Sequence, residues 1–224
     1  MRYYLWLSGI IFVLSSCRPD QGGTHNSTLS AEGTDSGKAA QDERLIKEAK
    51  STTDSVAFEA AFERFFAALQ AQDTAALNAF IDPKQGFWLI EQPGAVPAYT
   101  HYSQVQEVKR SYQELPFVSI AAQMQACNLQ QREHFPEFDC AMTDNGGSGY
   151  AEDGCFYTNG SAFRQNNMWQ YAGLSKQQEK QVQDLQRQVK QSVLHTYTSY
   201  RFHFGYDGQH WRLYFADLRV PCSA

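Results

Sequence analysis

Two stretches near the C-terminus, Tyr200-Arg201-Phe202-His203-Phe204 and His210-Trp211-Arg212-Leu213-Tyr214-Phe215, alternate along their length and flank Asp207-Gly208. Alternation with period two marks a half-buried strand. Asp-Gly favours the type I′ turn, because both central residues of that turn need positive φ. A two-residue loop there fixes the register: Phe204 faces Trp211, Phe202 faces Leu213 and Tyr200 faces Phe215, all on one side. The opposite side receives His203 with Arg212 and Arg201 with Tyr214. A slip of one residue would turn every aromatic to the other face, so turn and pattern together specify the hairpin, which spans residues 200–218.

Helices are predicted to cover such a sheet. From Val56 to Gln72, apolar residues fall at Phe58, Phe62, Phe65, Phe66 and Leu69, in gaps that place them on one helical stripe, with Asp54 or Ser55 as cap. Asp73 caps a second, shorter helix carrying Ala76, Leu77, Phe80 and Ile81, and Asp82-Pro83 ends it. Residues 86–90 (Gly-Phe-Trp-Leu-Ile) read as a buried strand and Gln92-Pro93-Gly94 as a turn. Ser103 to Tyr112 reads as another helical turn or two, and Phe117 to Met124 as either strand or helix. Ser175 and Gln178 form a capping box that opens a helix with a narrow stripe of Val182, Leu185 and Val189. Seven Gln between Gln177 and Gln191 make the remainder polar, as in a solvated surface helix; a partner-binding helix is the alternative.

Composition excludes several classes. The 224 residues carry a formal charge of −5, are 42% hydrophobic and 14% aromatic, and only 19% are charged. There is no basic excess for nucleic acid, no run long enough for a conventional membrane span and no collagen or coiled-coil pattern.

The N-terminus carries the most specific motif. Arg2 precedes an almost uncharged apolar stretch ending in Leu14-Ser15-Ser16-Cys17. The layout is that of an export signal, and the last four residues resemble the lipobox of bacterial lipoprotein precursors. That resemblance implies cleavage by signal peptidase II before Cys17, a diacylglyceryl group on its sulfur and usually acylation of its new amine. Two or three acyl chains, at ~0.8 kcal/mol per buried methylene, hold stably where one does not. Arg18 to about Asp42 contains Leu29 as its only large apolar residue and reads as a flexible tether, spanning roughly 28 Å on average. Asp42 to Lys50 reads as a short helix. The expected organisation is therefore a signal peptide over 1–16, a lipidated Cys and tether over 17–53, and one globular domain over 54–224.

Without Cys17 the chain has Cys127, Cys140, Cys155 and Cys222, an even number that suggests two disulfides in an exported protein. Sequence leaves three pairings open. Cys140–Cys155, which would staple the Gly-rich segment Asp144 to Gly149, is favoured, leaving Cys127 with Cys222. A zinc site of four thiolates is the rival, but there is no CxxC spacing.

Catalytic motifs are missing. Asp139, Asp144, Asn145, Glu152 and Asp153 supply the oxygens that calcium prefers, yet the EF-hand pattern is absent and Asp-Asn-Gly-Gly is ordinary turn chemistry. His101, His134, His195, His203 and His210 show no HExxH or His-x-His arrangement. There is no Gly-x-Ser-x-Gly elbow, phosphate loop or dinucleotide fingerprint, so neither a metal nor a cofactor is expected. Arg201, His203, Arg212 and Tyr214, on the exposed face of the expected hairpin, form the most chemically mixed cluster: a solvated face, or an anion site.

These elements imply an α+β class, with helices packed on a curved antiparallel sheet. The helix pair at 54–82 and the hairpin at 200–218 resemble the nuclear-transport-factor-like, cystatin-like roll. The chain also resembles uncharacterised envelope lipoproteins that end in Pro-Cys-Ser-Ala, here Pro221 to Ala224. The resemblances imply a lipid-anchored, extracytoplasmic protein of the bacterial cell envelope, at the outer membrane where there is one. Its expected role is to bind a protein or small-molecule ligand. The alternatives are a small hydrolase or isomerase of the roll type, with acids and His converging in the sheet's concavity, and a structural envelope component. A sheet face filled by Phe and Trp would leave no pocket there.

Overall fold

The phenylalanine stripe of the first helix is buried as its spacing requires. In the computed structural model, which describes residues 57–222 apart from residue 125 and the side chains of residues 144 and 145, helix α1 covers residues 57–70. Phe58, Phe62, Phe65 and Leu69 are each at most 1% exposed. The lipobox at Cys17, the tether, the 42–50 segment and the caps at Asp54 and Ser55 lie outside the described residues. Helix α2 is Thr74–Asn78, and Asp73 caps it by accepting from the Ala76 amide at 3.0 Å.

The strands are β1 (Phe87–Glu91), β2 (Ala98–Tyr102), β3 (Leu129–Gln131), β4 (Cys155–Thr158), β5 (Val189–His195), β6 (Tyr200–Tyr206) and β7 (Trp211–Asp217). They form one sheet in the order β2-β1-β7-β6-β5-β4-β3. The class is α+β, but the sheet is mixed rather than wholly antiparallel: β1 runs parallel to β7, and β3 to β4. The last strand, β7, pairs with β1, so the first and last parts of the sheet meet one strand in from the β2 edge.

Both faces are covered. On the first, Phe65 meets Phe80, Phe202 and Phe204 edge-on at 5.3–5.5 Å, and the cluster continues through Phe87, Phe117, Ile120 and Leu213. Each such phenylalanine contributes ~1.5–3 kcal/mol by leaving water. The stretch 117–124, ambiguous in sequence, is a 3-10 helix over Phe117–Ala122 that adds to this face. On the second face, helices α3 (Ser161–Arg164) and α4 (Lys176–Gln188) cover Trp88, Ile90, Tyr99, Tyr214 and Phe215.

Three expectations are corrected. First, the hairpin has a four-residue turn. Tyr206 faces Trp211 and Phe204 faces Leu213, and a bulge after His203 then sets His203 opposite Phe215 and Arg201 opposite Asp217. The Asp207 carboxylate accepts from the Gln209 and His210 amides at 2.8 and 2.7 Å, so the aspartate's own side chain builds the turn in place of the type I′ backbone. The bulge also puts the consecutive residues Tyr214 and Phe215 into the same core.

Second, the helix expected through Gln191 ends at Gln188, and Val189 opens β5. Val189 is buried as expected, but from a strand held between β4 and β6. The capping box of Ser175 and Gln178 forms as read. Third, the disulfides are Cys127–Cys155 and Cys140–Cys222, with Cα atoms 5.1 and 6.0 Å apart. Parallel pairing of β3 with β4 sets Leu129 against Cys155, which brings Cys127, two residues earlier, to Cys155 and leaves Cys140 for the C-terminal segment. Among the described residues no helix is long and apolar enough to cross a membrane.

Candidate functional site

The second face of the sheet carries an unusual polar row. Thr158 on β4 faces Ser192 on β5, Ser192 faces His203 on β6, and His203 faces Phe215 on β7. One step along, Arg201 faces Asp217. Side chains of directly opposed residues lie on one face, so register alone gathers Thr158, Ser192, His203, Arg201 and Asp217.

A short helix closes over this row. Asn159-Gly160 ends β4. Gly160 sits at φ +68°, and a Cβ there would come within 2.9 Å of Val189 Cγ1, so the turn requires glycine on both counts. Helix α3 then lays the Phe163 ring flat on the His203 ring, centroids 3.5 Å apart and planes 14° apart. Gln186, 5% exposed, donates its side-chain amide to the Phe163 and Asn166 carbonyls and so ties α4 to α3. The glutamines of α4, expected to be a solvated face, include this one buried strut.

Between α3 and the sheet lies a cavity of about 170 Å³. Its polar wall is Thr158, Ser192, Arg201, His203, Asp217 and Arg219; Phe135, Ala162, Phe163 and Asn166 close it. Ser192 Oγ lies 2.7 Å from His203 Nδ1, whereas Nε2 of this 1% exposed histidine has no hydrogen-bond partner. Such an atom, buried in a polar site, normally carries a cost of about 1–3 kcal/mol. Burial pushes the imidazole well below its usual range, to about 3, against the opposing pull of the Asp217 charge. His203 is thus neutral at physiological pH.

Asp217, 2% exposed, is gripped by Arg219: Nε donates to Oδ1 at 2.8 Å and Nη2 to Oδ2 at 2.6 Å. Burial alone would raise its carboxyl. The Arg219 bonds, with the charges of Arg219 and Arg201, outweigh that and hold it below the ordinary value. The same bonds raise the Arg219 guanidinium. Arg201 donates Nη2 to the Tyr150 hydroxyl at 2.9 Å. Two cations and one carboxylate leave the cavity wall with a net positive charge.

Of the mixed cluster read from sequence, Arg201 and His203 do share a site, but a covered one. Arg212 lies at the turn, bonded to Asp207 at 2.8 Å and to the Ala79 carbonyl, and Tyr214 is core. Asp217, Arg219, Ser192 and Thr158 were not foreseen. Asp217 directly follows the run Leu213 to Ala216, which is the signal that marks it; Ser192 follows Lys190 and Gln191 and carries no such signal.

The remaining candidates with described side chains do not converge; the side chains of Asp144 and Asn145 lie outside the described structure. Asp139 caps a 3-10 turn, Glu152 pairs with Arg132 at 2.7 Å, and Asp153 accepts from Ser148. His101 meets the Gln85 carbonyl, His195 meets Thr198 and the Ala126 carbonyl, and His134 and His210 are exposed. No group of three or more His, Cys, Asp or Glu stands together as a metal site among the described residues. The Phe-lined face of the sheet is filled. A larger groove of about 450 Å³ lies between α1, α2 and the hairpin turn, and none of the unpartnered buried atoms lines it. No protein-family model, curated protein or solved structure matches the chain.

Proposed function

We propose that this is a lipid-anchored protein of the bacterial cell envelope whose domain captures a small ligand in the cavity beneath α3. One observation carries the reading: His203, one of the residues that line the cavity, has a buried Nε2 with no hydrogen-bond partner. Buried polar groups are nearly always satisfied, so an unsatisfied one inside a pocket points to an absent partner. Support for the anchor is Leu14-Ser15-Ser16-Cys17. The helix pair on one sheet face supports a distant kinship with the α+β roll, from which the helices on the second face depart.

The geometry favours holding over turnover. Ser192 meets His203 at Nδ1, and Asp217 is already engaged by Arg219 rather than by the histidine. A general base works best with a pKa near the working pH, and burial has moved His203 far from it. The test is a panel of neutral, cationic and anionic fragments screened by ligand-observed NMR against the full-length protein and its Ala162→Trp variant. Ala162 is exposed on α3 and lines the cavity, so tryptophan fills the space without entering the core. At least one fragment should bind the wild type and be lost in the variant. If no fragment behaves so, the pocket reading fails. The anchor is tested separately by labelling with a palmitate analogue, which should disappear in Cys17→Ala.

A further inference from the structure

We propose that the ligand is a short-chain monocarboxylate, its carboxylate held by Arg201, Arg219 and His203 Nε2 and its alkyl end resting on Phe135 and Phe163. This rests on the pocket reading above and adds the chemical class.

Charge selects a monoanion. Arg201 and Arg219 bring two positive charges and Asp217 one negative, with both of its oxygens already taken by Arg219. One further negative charge balances the set, in which Asp217 is buried and both guanidinium groups are half-buried; a dianion such as phosphate would leave an excess beside Asp217.

The free donors fit the same group. Arg219 uses Nε and Nη2 on Asp217, so Nη1 stands outside that pair. Arg201 uses Nη2 on Tyr150 and reaches the Ser199 carbonyl only at 3.5 Å, which leaves further N–H groups of its planar fork. When the Ser192 hydroxyl donates to Nδ1, the ring proton resides on Nε2, and the neutral imidazole keeps one unpaired donor in a residue that lines the cavity. Guanidinium groups with an imidazole N–H form a donor set suited to a planar two-oxygen acceptor.

Size and lining set the rest. A cavity of about 170 Å³ is well short of the roughly 300–1,000 Å³ of pockets that take drug-sized molecules. A small ligand, such as a carboxylate with two or three further carbons, suits that size. Phe163, pinned over His203, and Phe135 give an apolar surface that such a chain buries and that phosphate would not use.

The experiment is titration calorimetry of the full-length protein in detergent with propionate, propionamide and inorganic phosphate, repeated with Arg201→Gln and His203→Asn. Both substitutions leave the Asp217–Arg219 pair in place. Propionate should bind at least tenfold more tightly than either comparator. Arg201→Gln should weaken it at least tenfold, and His203→Asn at least threefold. Propionamide or phosphate binding as well as propionate would overturn the carboxylate assignment and leave the pocket reading standing. Propionate binding that both variants leave unchanged, or no propionate binding, would overturn the assignment as well. The fragment screen with Ala162→Trp decides the fate of the pocket itself.

Discussion

Gly205 is a residue whose importance lies in what it lacks. It pairs with Arg212 across the hairpin, and a Cβ at this position would fall within 2.8 Å of three ring carbons of Tyr214. The ring lies over the glycine, filling the place of the missing side chain. Gly205→Ala therefore forces Tyr214 out of the second core, and overpacking of this kind costs about 1–3 kcal/mol. Urea unfolding should show that loss, and Tyr214→Ala in the same background should relieve the clash, so that the two costs fail to add. Fully additive costs would mean that the ring does not depend on the gap. His203 makes the opposite argument, through a proton. Its folded value is depressed to about 3 from an unfolded value near 6.5, so the unfolded chain binds the extra proton as pH falls below 6.5. The stabilisation is complete above 6.5 and is lost progressively toward 3, at up to ~1.4 kcal/mol per pH unit. His195, also lowered by burial, acts with the same sign. His203→Asn should flatten the dependence of unfolding free energy between pH 6.5 and 4 without abolishing it, whereas parallel curves for variant and wild type would defeat the assignment.

Helices α3 and α4 show how an element acquires a role that its own sequence does not announce. Gln186 sits among seven glutamines that read as one solvated face, yet its amide is the strut under the Phe163 turn. Gln186→Ala removes two hydrogen bonds and leaves two carbonyls without this donor, which costs about 1–3 kcal/mol. Because those carbonyls belong to the segment that holds Phe163 over the cavity, the variant should also weaken propionate binding, measured by the same calorimetry; Gln183→Ala, one turn away on the polar side, should alter neither. What was legible at this scale had local causes. The 58–69 stripe, the Asp73 cap and the Ser175–Gln178 capping box follow from spacing and side-chain reach within a few residues. The exact partners across the sheet do not. The bulge after His203, the parallel pairing of β3 with β4 and the strand character of 189–195 depend on segments far away in sequence. Each shifts which residues share a face, which is why Arg201 and His203 were found as a pair but placed in solvent, and why Asp217, Arg219 and Ser192 went unseen.

At the scale of the whole molecule, the cavity hangs from one disulfide. Cys222 follows Arg219 by three residues. Cys140 lies in the loop whose Tyr150 accepts from Arg201. The bridge thus joins the two segments that position the two guanidinium groups, even though neither cysteine lines the cavity. Cys127–Cys155, by contrast, joins β4 to the chain leading into β3 and belongs with the phenylalanine core on the other side of the sheet. The bridges enclose sequence separations of 82 and 28 residues, for which chain entropy alone assigns ~4.5 and ~3.6 kcal/mol. The two should therefore differ little in stability but sharply in function. Cys140→Ala with Cys222→Ala releases the segments carrying Arg219 and Tyr150, and propionate affinity should fall at least fivefold at temperatures where the protein remains folded by circular dichroism. Cys127→Ala with Cys155→Ala should lower the unfolding midpoint to a similar extent, because it also opens space beside a buried Cys155, but leave affinity within twofold. Equal loss of affinity in both pairs would mean that binding follows global stability, and the proposed division of labour between the two faces of the sheet would fall.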